Sequence, residues 1–196
     1  MNWKILLWTL MVFGGNSKPP VVHPMASQPN PYEGLKRMAY AVKYEQLHLP
    51  DARGKEILYG VLMDWDYEGK ATVTLVSFAT GDASLYISTG TIVIGGGYHA
   101  EVAQTSKAFI QAAKTVLPQA NSADTALRVE PGMLKFYLLT NKGKYSIKDK
   151  IDNVYNRTST LTGLFGKANE LIGAIGRITP DPGASQESHA RSPGYR

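Results

Sequence analysis

Residues 57–94 read ILYGVLMDWDYEGKATVTLVSFATGDASLYISTGTIVI, and the fold turns on how this stretch is punctuated. Glu68-Gly69, Gly81-Asp82 and Thr89-Gly90 cut it into four apolar and aromatic runs: Ile57 to Tyr67, Ala71 to Phe78, Ala83 to Ser88 and Thr91 to Ile94. Each run has the length and composition of a strand, and turns this short join antiparallel neighbours. A four-strand meander is therefore expected. In the second run Val73 and Leu75 alternate with Thr72, Thr74 and Val76, the pattern of a half-buried strand.

Helical patterns flank the meander. Before it, Leu35, Met38, Ala39, Val42 and Gln46 follow a period near 3.6, with Lys36, Arg37 and Lys43 off the stripe. This predicts a helix from about Tyr32 to Leu47, ended by Leu49-Pro50, since the residue before proline avoids the α region. After it, Gly95-Gly96-Gly97 leads into a helix from about His99 to Leu117, with Val102, Ser106, Phe109, Ile110, Ala113 and Val116 as its buried stripe. A loop from Asn121 to Pro131 precedes a hairpin, Met133 to Thr140 against Lys144 to Lys148. The final helix, about Ser159 to Ile178, has the cleanest period: Leu161, Leu164, Phe165, Ala168, Leu171, Ile172 and Ile175, with Thr158 or Ser159 as N-cap.

Helix, four strands, helix, two strands, helix describes an α+β domain over residues 32–178: a single, largely antiparallel sheet packed with three helices. This order of elements resembles that of the roadblock and profilin-type domains. Binding and dimerisation, the uses of those small sandwiches, are what the resemblance implies.

Composition narrows the chemistry. Hydrophobic residues make up 43% of the 196-residue chain, enough for a core without staples. The absence of cysteine excludes disulfides, thiolate metal sites and a cysteine nucleophile. The net charge of +5 is spread over the chain, so nucleic acid is not the expected partner.

Both ends are set aside from the fold. Residues 1–31 begin with an apolar run, Ile5 to Phe13, too short to span a membrane. Two readings stay open. Gly15 and Ser17 suit positions −3 and −1 of a signal-peptide cleavage site, implying export. Alternatively Met25 is the initiator and the preceding stretch dispensable, which fits the cytoplasmic location otherwise favoured. Residues 179–196, rich in Pro, Gly and Ser, are expected to be a disordered tail.

Three places offer chemistry. In strand geometry Asp64, Asp66 and Glu68 share a face, where carboxylates can ligate Mg²⁺ or Ca²⁺, but they lead into a turn where a solvated polar face is ordinary. No metal and no cofactor is expected. Gly95, Gly96, Gly97 and His99 form a strand–helix junction whose N–H groups can cradle a phosphate, although no dinucleotide or P-loop motif is present. His99 has only Glu101 nearby as a carboxylate, and there is no nucleophile elbow. Lys142, Lys144 and Lys148, with Lys135 and Lys150, make the hairpin basic, and an edge hairpin guarded by lysines accounts for them. The expected function is a non-enzymatic binding or protein-interaction module, with homodimerisation through a sheet edge or helix face as one form. The alternative is a small phosphate- or nucleotide-binding protein or hydrolase centred on Gly95–His99.

Overall fold

The computed structural model describes residues 31–123 and 129–179, so the expectations for the N-terminal extension, and for the tail beyond Thr179, lie outside the described residues. Seven strands form one antiparallel sheet: β1 (Leu58–Tyr67), β2 (Ala71–Phe78), β3 (Ala83–Ile87), β4 (Ile92–Val93), β5 (Asn121–Ser122), β6 (Met133–Thr140) and β7 (Gly143–Lys150). Their spatial order is β4-β3-β2-β1-β6-β7-β5. The meander is one half of the sheet. The hairpin is the other, joined to it where β6 pairs with β1.

That placement corrects the reading of an edge hairpin for β6 alone. β6 is an inner strand, and β7 is bordered by two-residue β5, which lies within the stretch expected to be loop. Register fixes the faces of the hairpin, because Lys135, Tyr137 and Leu139 lie opposite Lys148, Ser146 and Lys144. Lys144 and Lys148 thus share a face with Ser146, while Tyr145 and Ile147 take the other.

On one face, β1, β2, β3 and β6 present Met63, Trp65, Leu75, Leu85, Phe136 and Leu138 to α2 (Ala100–Ala113) and α4 (Thr162–Ile178). The expected stripes of both helices are buried throughout, from Val102 to Val116 and from Leu161 to Ile175. A short helix not anticipated from the sequence, α3 (Ile151–Tyr155), follows β7 directly. Helix α4 starts later than expected, with Leu161 at the N-cap position. Ser159 stands before it, its Oγ accepting the Leu161 N–H at 3.1 Å.

The opposite face is covered by α1 (Pro31–Ala41), and here the sequence reading needs its largest correction. The buried residues are Tyr32, Lys36, Ala39 and Tyr40, while Met38 is 61% exposed. Two tyrosines bury more apolar surface than one methionine, and Lys36 is drawn inward by a partner described below. The helix also ends at Ala41 rather than Leu47, with a 3₁₀ turn at Tyr44–Leu47 after it. Its end is capped from the sheet: Lys144 Nζ donates to Tyr40 O at 2.6 Å and Tyr59 Oη donates to Val42 O at 2.7 Å. A cation at the C-terminal end suits the helix dipole. Because α1 lies over β1 and β2, neither strand has a solvated face, and β1 is buried along all ten residues. β2 is buried from Ala71 to Ser77, against the half-buried pattern expected.

Candidate functional site

The Asp64-Trp65-Asp66-Tyr67-Glu68 run is not a solvated carboxylate face. Asp64 is fully buried. Its Oδ2 stands 2.5 Å from Lys36 Nζ, and its Oδ1 accepts from Thr74 Oγ1 at 2.6 Å. A threonine has one proton to give, so at the 2.7 Å contact between the two hydroxyls Tyr32 is the donor and Thr74 the acceptor. Tyr32 and Lys36 are one helical turn apart on α1, and Asp64 and Thr74 are paired across β1 and β2. Burial pushes the Asp64 carboxyl above its ordinary range, and Lys36 and Thr74 pull it back. Lys135, opposite Asp64 on β6, lies with Nζ 4.7 Å from the Tyr137 ring centre, its ammonium pushed below its ordinary pKa by burial. This cluster serves to dock α1. Sequence periodicity missed it, although Tyr32, Lys36, Ala39 and Tyr40 form a stripe of their own.

Asp66 and Glu68 go elsewhere. Asp66 is 9% exposed, and its Oδ2 accepts the N–H groups of Gly69 at 3.0 Å and Gly132 at 2.8 Å. It therefore ties the β1–β2 turn to the loop entering β6. Glu68 is exposed at positive φ in that turn and pairs with Lys70 at 2.9 Å. Among the described residues no group of three His, Cys, Asp or Glu is placed to hold a metal ion.

A cleft of about 440 Å³ opens at this end of the sheet. Its lining includes Trp65, Asp66 and Tyr67 from β1 with Gly132, Asp152 and Tyr155. A second space of about 220 Å³ is also lined by Asp66, together with Thr72 and Val129. Trp65 meets Tyr67 edge-on at 5.3 Å and Phe165 at 5.6 Å, and Tyr155 meets Phe165 at 6.1 Å, so the rings form one connected group.

The Gly95–His99 junction is a packed bend. Gly95 has φ +76°, which favours glycine. A Cβ on Gly96 would stand 3.0 Å from Val102 Cγ1, and one on Gly97 only 2.4 Å from Asp82 Oδ1. Close packing thus demands glycine at 97 and leaves a side chain at 96 a tight fit. The carboxylate of Asp82 also puts negative charge beside the N–H groups that an anion would need. His99 is exposed at the start of α2, and its own N–H donates to Gly96 O at 3.0 Å.

The lysines of the hairpin are largely engaged. Lys144 caps α1 and lies 4.2 Å from the Tyr40 ring centre, and Lys148 pairs with Glu130 at 2.7 Å. Lys142 is exposed in the β6–β7 turn. No helix among the described residues is long and apolar enough to cross a membrane.

No family model, curated protein or solved structure matches the chain.

Proposed function

We propose that this chain is a non-enzymatic protein-interaction module that pairs with a second copy of itself along the free edge of β4. The observation that carries this reading is the edge itself. Among the described residues β4 has a neighbour on one side alone; Ile94, 61% exposed, follows it directly, and Tyr98, 95% exposed, ends the 3₁₀ turn Gly96–Tyr98 a few residues on. An open edge with apolar side chains beside it is a template for another strand. Antiparallel pairing about a twofold axis uses the same residues from both copies, so the edge is its own complement. β4 has only two residues, so burial of Ile94 and Tyr98 supplies more of the affinity than the ladder does.

Light scattering over a concentration series tests this. A dimer is expected for the wild type, and a monomer of unchanged melting temperature for the Ile94→Lys, Tyr98→Ser variant. A monomer at every concentration, or a dimer indifferent to the two substitutions, overturns the reading.

A further inference from the structure

We propose that Lys135 is a modification site, an amine that takes the acyl group of an acyl phosphate and becomes an amide. The site lies on the hairpin half of the sheet and does not depend on pairing at the β4 edge.

The count of charges around Lys135 points to it. Register sets Thr74, Asp64, Lys135 and Lys148 in one row across β2, β1, β6 and β7, on the α1 side of the sheet. Two carboxylates serve this row and both are taken, Asp64 by Lys36 at 2.5 Å and Glu130 by Lys148 at 2.7 Å. Lys135 is the third cation, placed between two completed ion pairs. Among the described residues no hydrogen bond or ion pair engages its Nζ, which lies 4.7 Å from the Tyr137 ring centre. A ring face holds an ammonium more weakly than a carboxylate that accepts its protons.

A lysine becomes a nucleophile when it is desolvated or set beside other cations, because both favour the neutral amine. Lys135 meets both conditions. Burial, the largest influence, pushes its ammonium below the ordinary lysine range. Lys148 and Lys36 push it the same way, against Glu130 and Asp64. The nitrogen is nonetheless within reach of solvent. Among the described residues the one buried side-chain polar atom without a hydrogen-bond partner is Asp64 Oδ2, so the unpartnered Nζ of half-buried Lys135 is not sealed off.

The surplus positive charge selects the donor. An acyl phosphate is an anion drawn to such a place, and its leaving group departs as phosphate, which nearby cations stabilise. The Lys135 nitrogen lone pair attacks the acyl carbon, and the bond from that carbon to the phosphate oxygen breaks. Inorganic phosphate leaves with the electron pair, and the proton of the former amine passes to solvent. The amide carries no charge, so its formation ends the repulsion among Lys36, Lys135 and Lys148.

The experiment treats the full chain with acetyl phosphate and follows acetylation of each lysine by mass spectrometry, over time and over pH. Lys135 is expected to react about threefold or more faster than the exposed Lys142 and Lys150 at neutral pH. Its rate is expected to level off at a lower pH than that of Nα-acetyl-lysine amide. Lys148→Met, at a side chain 48% exposed, removes a neighbouring cation and releases Glu130. It is expected to slow Lys135 and to move the levelling-off to higher pH, which loss of a merely structural contact would not do. Unfolding in urea is expected to erase the preference for Lys135. The proposal is overturned by a Lys135 that reacts no faster than Lys142 and Lys150, levels off with the model amide, is indifferent to Lys148→Met, or keeps its preference in urea.

Discussion

On one face of the sheet, Val73, Leu75, Phe136 and Leu138 meet α2 and α4 through apolar side chains, with one buried hydroxyl contact between Ser77 and Ser106 and no charge. On the other, Leu62, Val76 and Leu139 lie beside Asp64, Thr74 and five buried tyrosine rings, and α1 brings a lysine to them. The difference is one of directionality. Apolar contact falls off gradually as a helix shifts, so many nearby arrangements cost little. A buried ion pair has one good geometry, and moving α1 by a turn would leave Lys36 and Asp64 both charged, buried and apart. The first face supplies stability. The second gives α1 a register.

Substitutions that treat the faces differently sharpen this contrast. The largest effect is expected from Lys36→Met, which leaves Asp64 buried without its counter-charge and costs about 4 kcal/mol at neutral pH. That loss depends on pH. Burial already holds the Asp64 carboxyl above its ordinary range, and losing Lys36 raises it further. A folded pKa above the unfolded value of about 4 means stability falls as pH rises from there, and is regained below it. Urea unfolding of the variant at acidic and neutral pH checks the sign, and adding Asp64→Leu is expected to restore most of the loss. A loss equal at both pH values would break the contrast.

Leu171→Ala, on the apolar face, is expected to cost about 3 kcal/mol through transfer and cavity formation, equally at both pH values. Leu171 is fully buried, and no charge is involved in the change. The smallest effect belongs to Thr74→Val, which takes the bridging hydroxyl from between Tyr32 and Asp64 and is expected to cost about 2 kcal/mol. An unfolding midpoint lower for Thr74→Val than for Leu171→Ala would mean that the polar network, and not the apolar core, dominates stability.

How much of this was legible in the sequence differs from element to element. The meander was read from Glu68-Gly69, Gly81-Asp82 and Thr89-Gly90, because turn chemistry is local and short turns force antiparallel neighbours. The stripes of α2 and α4 were equally clear, since Phe109, Leu171 and Ile175 repeat at the helical period. The stripe of α1 was misread because hydropathy ranks Met38 above Lys36, while the structure ranks them by the partners they reach. The glycines at 95–97 were visible as a junction, but only the position of Asp82 shows why no side chain fits at Gly97, and only that of Val102 why Gly96 is tight. The cleft had no sequence signal. Trp65 and Asp66 come from β1, Gly132 from the loop before β6 and Tyr155 from the end of α3, and nothing local says that these converge.

By itself the sequence determined the strands that follow tight turns, two of the three long helices with their buried faces, and the α+β class. These depend on interactions between residues close along the chain. Only the tertiary structure decided that the hairpin joins the meander through β6. It alone placed α1 across the face opposite α2 and α4, and turned Asp64 from a turn-side carboxylate into a buried anchor. Those outcomes rest on contacts between distant segments, such as Lys36 with Asp64 and Lys144 with Tyr40. A buried charge is stable only where its partner arrives, and hydropathy along one segment carries no information about the partner.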